Sequence, residues 1–237
     1  MKTLSQNRLI LMVAAIEFIY ILDFMMVLPL GPDLAKAHLF KLEYLGWISA
    51  AFTFASVIAG YLSIKWLDRF DRRSALLLLL VLFTLSTGLT AFTQGLTSLL
   101  CVRILTGLLG GPIVAISFAI LIDNIPSEQR GRAIGQVMLG FSLAAILGVP
   151  LVLELSRAGW QIPFLLLAGL SSALCLWISM TLPSMREHLT RKLSVSLPSL
   201  LRQPSVRLAC VLQAASQFAA FLIIPYFSAY FLLNLGV

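Results

Sequence analysis

Seven mostly apolar stretches, at 8–30, 44–65, 74–93, 96–123, 133–154, 161–182 and 206–230, divide this chain. Each reaches the length of about 20 residues that a helix needs to cross a hydrocarbon core about 30 Å thick. Apolar residues make up 59% of the chain and charged residues 11%, against about 45–50% and 25% in a soluble domain. A bilayer can solvate that much apolar surface, whereas a single soluble core cannot bury it. The expected fold is therefore an all-α membrane protein: a six-helix bundle over 1–182, a linker over 183–205, and a seventh transmembrane helix within 206–237.

The net charge of +7 is carried in short bursts between the apolar runs. That pattern fits loops facing anionic lipid and excludes a nucleic-acid groove. With the N-terminus inside, 13 Lys and Arg residues fall on the cytoplasmic side and 3 (Lys36, Lys41, Arg157) outside, while Arg103 lies within a span. The expected location is the cell inner membrane, multi-pass, with a cytoplasmic N-terminus. Lys2 and Arg8 precede an apolar stretch that runs past Glu17 and Asp23 to Pro29 without a small-residue cleavage site. It reads as a first membrane helix rather than a removable leader. In 183–205, leucines alternate with Arg191, Lys192 and Arg202. This segment is either a short helix on the membrane surface or a solvated linker.

Away from the span ends, three charged residues stand inside the membrane segments: Glu17 and Asp23 in the first and Arg103 in the fourth. Each costs roughly 2.5–3.5 kcal/mol on insertion scales, so each is expected to face the protein interior with a partner. At about 1.5 Å per residue, Asp23 stands ~22 Å up the first helix and Arg103 ~10 Å below the opposite face. Those depths nearly coincide, which predicts an Asp23–Arg103 pair. Glu17 lies near the midplane with no cation at its depth. It suits a proton carrier; the plainer alternative is a neutral acid hydrogen-bonded to a neighbouring helix.

Ser56 with Gly60, and Gly107 with Gly111, have the small-xxx-small spacing of closely packed membrane helices. Pro112 and Pro150 are expected to interrupt their helices. Gln213 and Gln217, and Tyr226 and Tyr230, share faces of the seventh helix. The two glutamines are candidate cavity residues, although such groups more often bond neighbouring helices. Cys101, Cys175 and Cys210 lie in apolar runs and form no disulfide or metal spacing. No metal and no cofactor is expected.

The run Ile64-Lys65-Trp66-Leu67-Asp68-Arg69-Phe70-Asp71-Arg72-Arg73 resembles the loop between helices two and three of the major facilitator superfamily, roughly G-x-L-A-D-R-x-G-R-R. Asp68, Arg69, Arg72 and Arg73 match, and Ile64 and Asp71 stand in place of the glycines. The resemblance implies a cytoplasmic gate latch in which Asp123, at the end of helix four, joins the same charges. Leu99 to Gly107 resembles L-x-x-x-R-x-x-Q-G with Thr106 for Gln, whose arginine the family associates with proton coupling. Leu22-Asp23 through Leu28-Pro29 is similar to the L-D-x(5)-P element of drug:proton antiporters. Gly148-Val149-Pro150 resembles the antiporter motif, and Gly159-Trp160-Gln161 with Phe164 the start of helix six. The resemblance runs from about residue 8 to 230 and implies proton-coupled export of a small organic molecule, in the drug and sugar efflux branch.

The sequence is compatible with three functional classes. The first is a proton:solute antiporter, or the N-terminal part of one, whose partners are a small-molecule substrate, protons and the lipid bilayer. The second is a truncated, non-transporting paralogue or half-transporter, motivated by the family's usual twelve helices. It would need a second half-transporter chain or form a homo-oligomer, because Glu17, Asp23 and the Gly107–Gly111 face would otherwise meet lipid. The third is an intramembrane enzyme, which is disfavoured. His38 and His188 fall in loops, no H-E-x-x-H occurs, and Gly140-Phe141-Ser142 has no histidine partner within a span.

Overall fold

The computed structural model describes residues 5–67, 70–185, 202–216 and 218–219. All regular structure among them is helical. The chain divides into two compact units, Met1–Thr190 and Arg191–Val237. The second is described by its helical residues 204–216 and 218–219. The first contains α1 (Gln6–Met25), α2 (Gly31–His38), α3 (Leu45–Leu67), α4 (Arg72–Thr90), α5 (Gly95–Asn124), α6 (Arg130–Leu143), α7 (Val149–Ser156) and α8 (Gln161–Thr181).

Within this unit α1 is central, packed against α5, α6 and α8. Around it, α3 lies along α5, and α4 lies between α5 and α8. Met12 and Ile16 of α1, Leu80 and Phe83 of α4, Ile116 and Ile120 of α5, and Phe164 of α8 form the core. Large apolar side chains also cover the outside, among them Phe54, Leu62, Leu85, Leu147 and Leu176. The polar residues instead turn inward: Thr84, Ser86, Thr87, Thr90, Thr106 and Ser171 are all buried. An apolar exterior over a hydroxyl-lined interior is what hydrocarbon as solvent selects.

Among the described residues, five segments are long and apolar enough to cross a membrane: Leu42–Ser63, Arg72–Thr90, Gly95–Asn124, Ser127–Ser156 and Gln161–Thr181. The first expected span, 8–30, differs from its expected form. Its helix ends at Met25, the chain turns through 26–30, and the short α2 follows. Pro29 lacks the N–H to continue a helix, and Pro32 then occupies the first turn of α2. α1 also carries three charged residues, Arg8, Glu17 and Asp23, within its 20 residues.

The two prolines behave differently from one another. Pro112 does not interrupt its helix, because α5 continues through it over 30 residues. Pro150 follows a π-helical turn at Ala144–Gly148 that separates α6 from α7. The wider turn accommodates a ring that would otherwise strike the carbonyl four residues earlier.

The small-residue spacing marks the α3–α5 contact. A Cβ on Gly107 would collide with the Phe52 carbonyl oxygen, and one on Gly111 with that of Ser56. This corrects the expectation that the Gly107–Gly111 face meets lipid or a second bundle, since α3 covers it.

Candidate functional site

Asp23 and Arg103 are brought together in the core of the first unit. An Arg103 Nη1–H donates to Asp23 Oδ2 at 2.9 Å and also reaches the Asp23 backbone oxygen at 3.3 Å. Their side chains are 0% and 1% exposed. Hydrogen bonds from the surrounding helices complete the pair. The Thr87 hydroxyl donates to Asp23 Oδ1 at 3.0 Å, and Arg103 Nη2–H donates to the Thr90 hydroxyl at 3.0 Å. The guanidinium carbon stands 5.0 Å from the centre of the Phe164 ring. A ring face attracts a cation where water cannot, so Phe164 offsets part of the desolvation. Arg103 Nε has no hydrogen-bond partner among the described residues.

Thr87, Thr90 and Phe164 are participants that the sequence reading missed. The available signal was the run Ser86-Thr87-x-x-Thr90, which places hydroxyls on one face of an otherwise apolar helix. Ser86 and Thr106 continue that face toward α5, their hydroxyls 2.6 Å apart.

Glu17 is 4% exposed, and its Oε1 has no hydrogen-bond partner among the described residues. Two residues expected to meet lipid or a partner chain, Glu17 and Asp23, are therefore enclosed by the bundle's own helices. The helix rotation that hides them is set by packing, which apolar periodicity does not report when the outside is apolar too. Gly148 joins this region, since a Cβ there would lie 2.7 Å from Leu22 Cδ1, beside Asp23. Pro150 begins the helix that follows.

At the end of the bundle bearing the α3–α4 turn, Arg72 forms an ion pair with Asp123 and donates to the Ala119 carbonyl oxygen at 3.3 Å. Arg73 Nη2–H donates to the Ser179 carbonyl oxygen at 2.6 Å, satisfying one of the last carbonyls of α8. Asp68 and Arg69 lie outside the described residues, as do Gln217, Tyr226 and Tyr230. Gln213 is exposed.

Asp71, at a position where the resembling loop has glycine, has its own task. Its Oδ1 accepts from the Arg73 N–H at 3.1 Å, capping α4, and from the Met185 N–H at 3.0 Å. The Ser184 hydroxyl donates to its Oδ2. One carboxylate thus caps a helix and holds the chain leaving α8. Asp71→Ala is expected to cost about 1 kcal/mol through the lost cap and to speed tryptic cleavage after Arg186. Limited proteolysis in detergent measures this; an unchanged cleavage rate would mean the tether does not hold the segment.

The comparisons agree on ancestry. The profile of the Major Facilitator Superfamily matches residues 13–237. The chain is similar to the inner membrane transport protein YdhP of Escherichia coli, 28% identical over 201 residues, covering 81% of this chain and 51% of that protein. It is 26% identical over 188 residues to a chloramphenicol efflux pump of Mycobacterium tuberculosis, covering 76% and 45%. A probable sugar efflux transporter of Mannheimia succiniciproducens is 33% identical over 137 residues, covering 57% and 34%. The chain spans about half or less of the length of these curated relatives. A profile match over nearly the whole sequence, on a bundle of apolar helices around a buried ion pair, places the chain in the major facilitator superfamily.

Proposed function

We propose that the chain forms the N-terminal bundle of a proton-coupled exporter that moves a small organic molecule, such as a drug or sugar, across the inner membrane. The observation that carries this reading is the buried Asp23–Arg103 pair. Charges in a membrane helix are retained chiefly on ion and substrate paths. Ionised Asp23 holds Arg103 and the Thr87 hydroxyl. Taking up a proton at Asp23 removes the charge that fixes Arg103, leaving it to Thr90 and the Phe164 ring. That loosens α1 from α4 and α5, the change a rocking bundle needs. Glu17, about 9 Å below Asp23 on the same helix at 1.5 Å per residue, serves as a second carrier toward the cytoplasm. Gly148, in the π-helical turn before Pro150, leaves room for Leu22 beside the site. Arg72 and Asp123 serve as part of the cytoplasmic latch, to which the loop charges Asp68, Arg69 and Arg73 belong in this reading.

The N-terminus is cytoplasmic in this reading, so reporters fused after Asp71 and after Gly95 should report inside and outside respectively. Transport is tested in inverted membrane vesicles, with a pH-sensitive dye following proton release on addition of chloramphenicol or a β-galactoside. Solute-dependent proton release is expected with the native sequence and not with Asp23→Asn. Export that survives collapse of the proton gradient, with Asp23→Asn as active as the native chain, would overturn the reading. One alternative is a half-transporter working with a partner chain. Flux that appears only when a second bundle is co-expressed would assign the chain to it.

A further inference from the structure

His38 does not lie in a loop, as its sequence surroundings predicted; it is the last residue of α2 and is 6% exposed. The helix stops there because Leu39 adopts the left-handed conformation at φ 54°, and the Phe40 N–H returns to the Ala35 carbonyl oxygen at 3.1 Å. That conformation is unfavourable for a residue with a Cβ, so the bend is held by its surroundings.

The imidazole is enclosed by acceptors. Nδ1 stands 3.0 Å from the Leu34 carbonyl oxygen, and Nε2 stands 3.1 Å from the Thr93 carbonyl oxygen and 3.0 Å from the Thr93 hydroxyl. A carbonyl oxygen only accepts, so each nitrogen is placed to donate. The Thr93 hydroxyl uses its own proton on the Thr90 carbonyl oxygen at 2.8 Å. This is the hydrogen-bond complement of a ring carrying both protons. If Nε2 loses its proton, the nearby group able to donate to it is the Thr93 hydroxyl, which must then leave Thr90.

Thr90 is the residue that holds Arg103 Nη2. A second line of contact runs through rings. His38 meets Trp160 edge-on at 4.9 Å between centres, Trp160 meets Phe164 at 6.3 Å, and Phe164 lies under Arg103. Trp160 also lines an open cavity of about 480 Å³ with Asp33, Lys36, Arg157 and Gly159, so one ring separates His38 from water.

We propose that His38 is a second protonation site, facing the water beyond α2 and energetically linked to the Asp23–Arg103 pair through Thr93 and Thr90 and through Trp160 and Phe164. The proton enters Nε2 from that water and returns to it; no other bond forms or breaks. The charged groups at this end are Asp33 and Lys36 on α2, Lys41 and Glu43 in the turn toward α3, and Glu154 paired with Arg157 near the end of α7. From α4 and α5 the first charge is Arg103, with Asp23 behind it. A protonated His38 and Arg103 repel, and ionised Asp23 offsets that repulsion. Loss of the Asp23 charge therefore weakens proton binding at His38. In the proposed orientation His38 faces outward, so the linkage would report outside pH to the coupling site. This deepens the proton-coupled reading and rests on it for its meaning in transport. The linkage itself is measured without substrate, so the two can fail separately.

The test is ¹⁵N NMR of histidine-labelled chain in nanodiscs, with His188→Gln leaving a single ring. A one-proton transition is expected at Nε2, with Nδ1 protonated throughout. In Asp23→Asn the proton affinity of His38 should fall about fivefold or more, a coupling of ordinary size for linked sites. Linkage is reciprocal, so His38→Gln should change the proton affinity of the Asp23 carboxyl, read by ¹³C NMR, by the same factor. This second arm stands if Asp23→Asn does not fold. A histidine that is only a packing element would keep one tautomer with no transition, or would titrate identically in all variants; either result overturns the proposal.

Discussion

Asp23→Asn is expected to destabilise the folded bundle by about 3–5 kcal/mol, the usual loss when one partner of a buried ion pair is removed. The reason is what remains. Arg103 is 1% exposed, its Nε is already without a partner among the described residues, and the amide returns no charge. Thr90 and the Phe164 ring cannot replace the carboxylate. The double variant Asp23→Asn with Arg103→Gln should recover part of this loss, because neither buried charge is then uncompensated, while any proton-coupled activity stays absent. Thermal or SDS-induced unfolding in detergent measures both. Strictly additive losses in the double variant would show that the pair does not act as a unit.

The other large effect belongs to the α3–α5 contact. Gly111→Val places carbon where the Ser56 carbonyl oxygen and, at 3.0 Å, its hydroxyl oxygen already lie. Backbone cannot yield as a side-chain tip can, so the helices must separate. Overpacking of this kind costs about 1–3 kcal/mol or more, and separation also strains the Tyr20–Ser56 hydrogen bond of 2.9 Å. Gly60→Ala is the control on the same interface. Its Cβ would meet Gly111 backbone at 3.7 Å, an ordinary contact, and its effect should stay within about 0.5 kcal/mol. Equal loss in both variants would mean that close approach at Gly111 is not what holds the two helices.

The parts of this architecture legible in the sequence are those governed by fixed geometry. Helix rise gives depth, and depth brought Asp23 to Arg103 although they are 80 residues apart. Spacing identified the glycines that seat α5 against α3. What stayed illegible depends on rotation and on local backbone choice. Thr87 and Thr90 differ little in sequence from hydroxyls that serve only their own helix, as Ser172 does by bonding the Ala168 carbonyl oxygen. The break before α2 was hidden because an apolar run continues across it. Its end was hidden because leucine, not glycine, takes the left-handed turn at position 39. The tether made by Asp71 was invisible because Ser184 and Met185, which it holds besides capping α4, are more than 100 residues away.

The distance along the chain between Asp23 and Arg103 also sets a schedule for biogenesis. At about 5–20 residues per second, roughly 4–16 s of translation separate the acid from its cation. Throughout that interval α1 carries Glu17 and Asp23 without the helices that will satisfy them, at roughly 2.5–3.5 kcal/mol for a charge at the bilayer centre. Such a helix has reason to linger beside the translocon instead of partitioning into lipid, and the arrival of α5 releases it. A nascent chain arrested before Arg103 emerges should leave α1 extractable by alkaline wash, and one arrested after α5 is complete should not. The ion pair would then act first as an assembly signal.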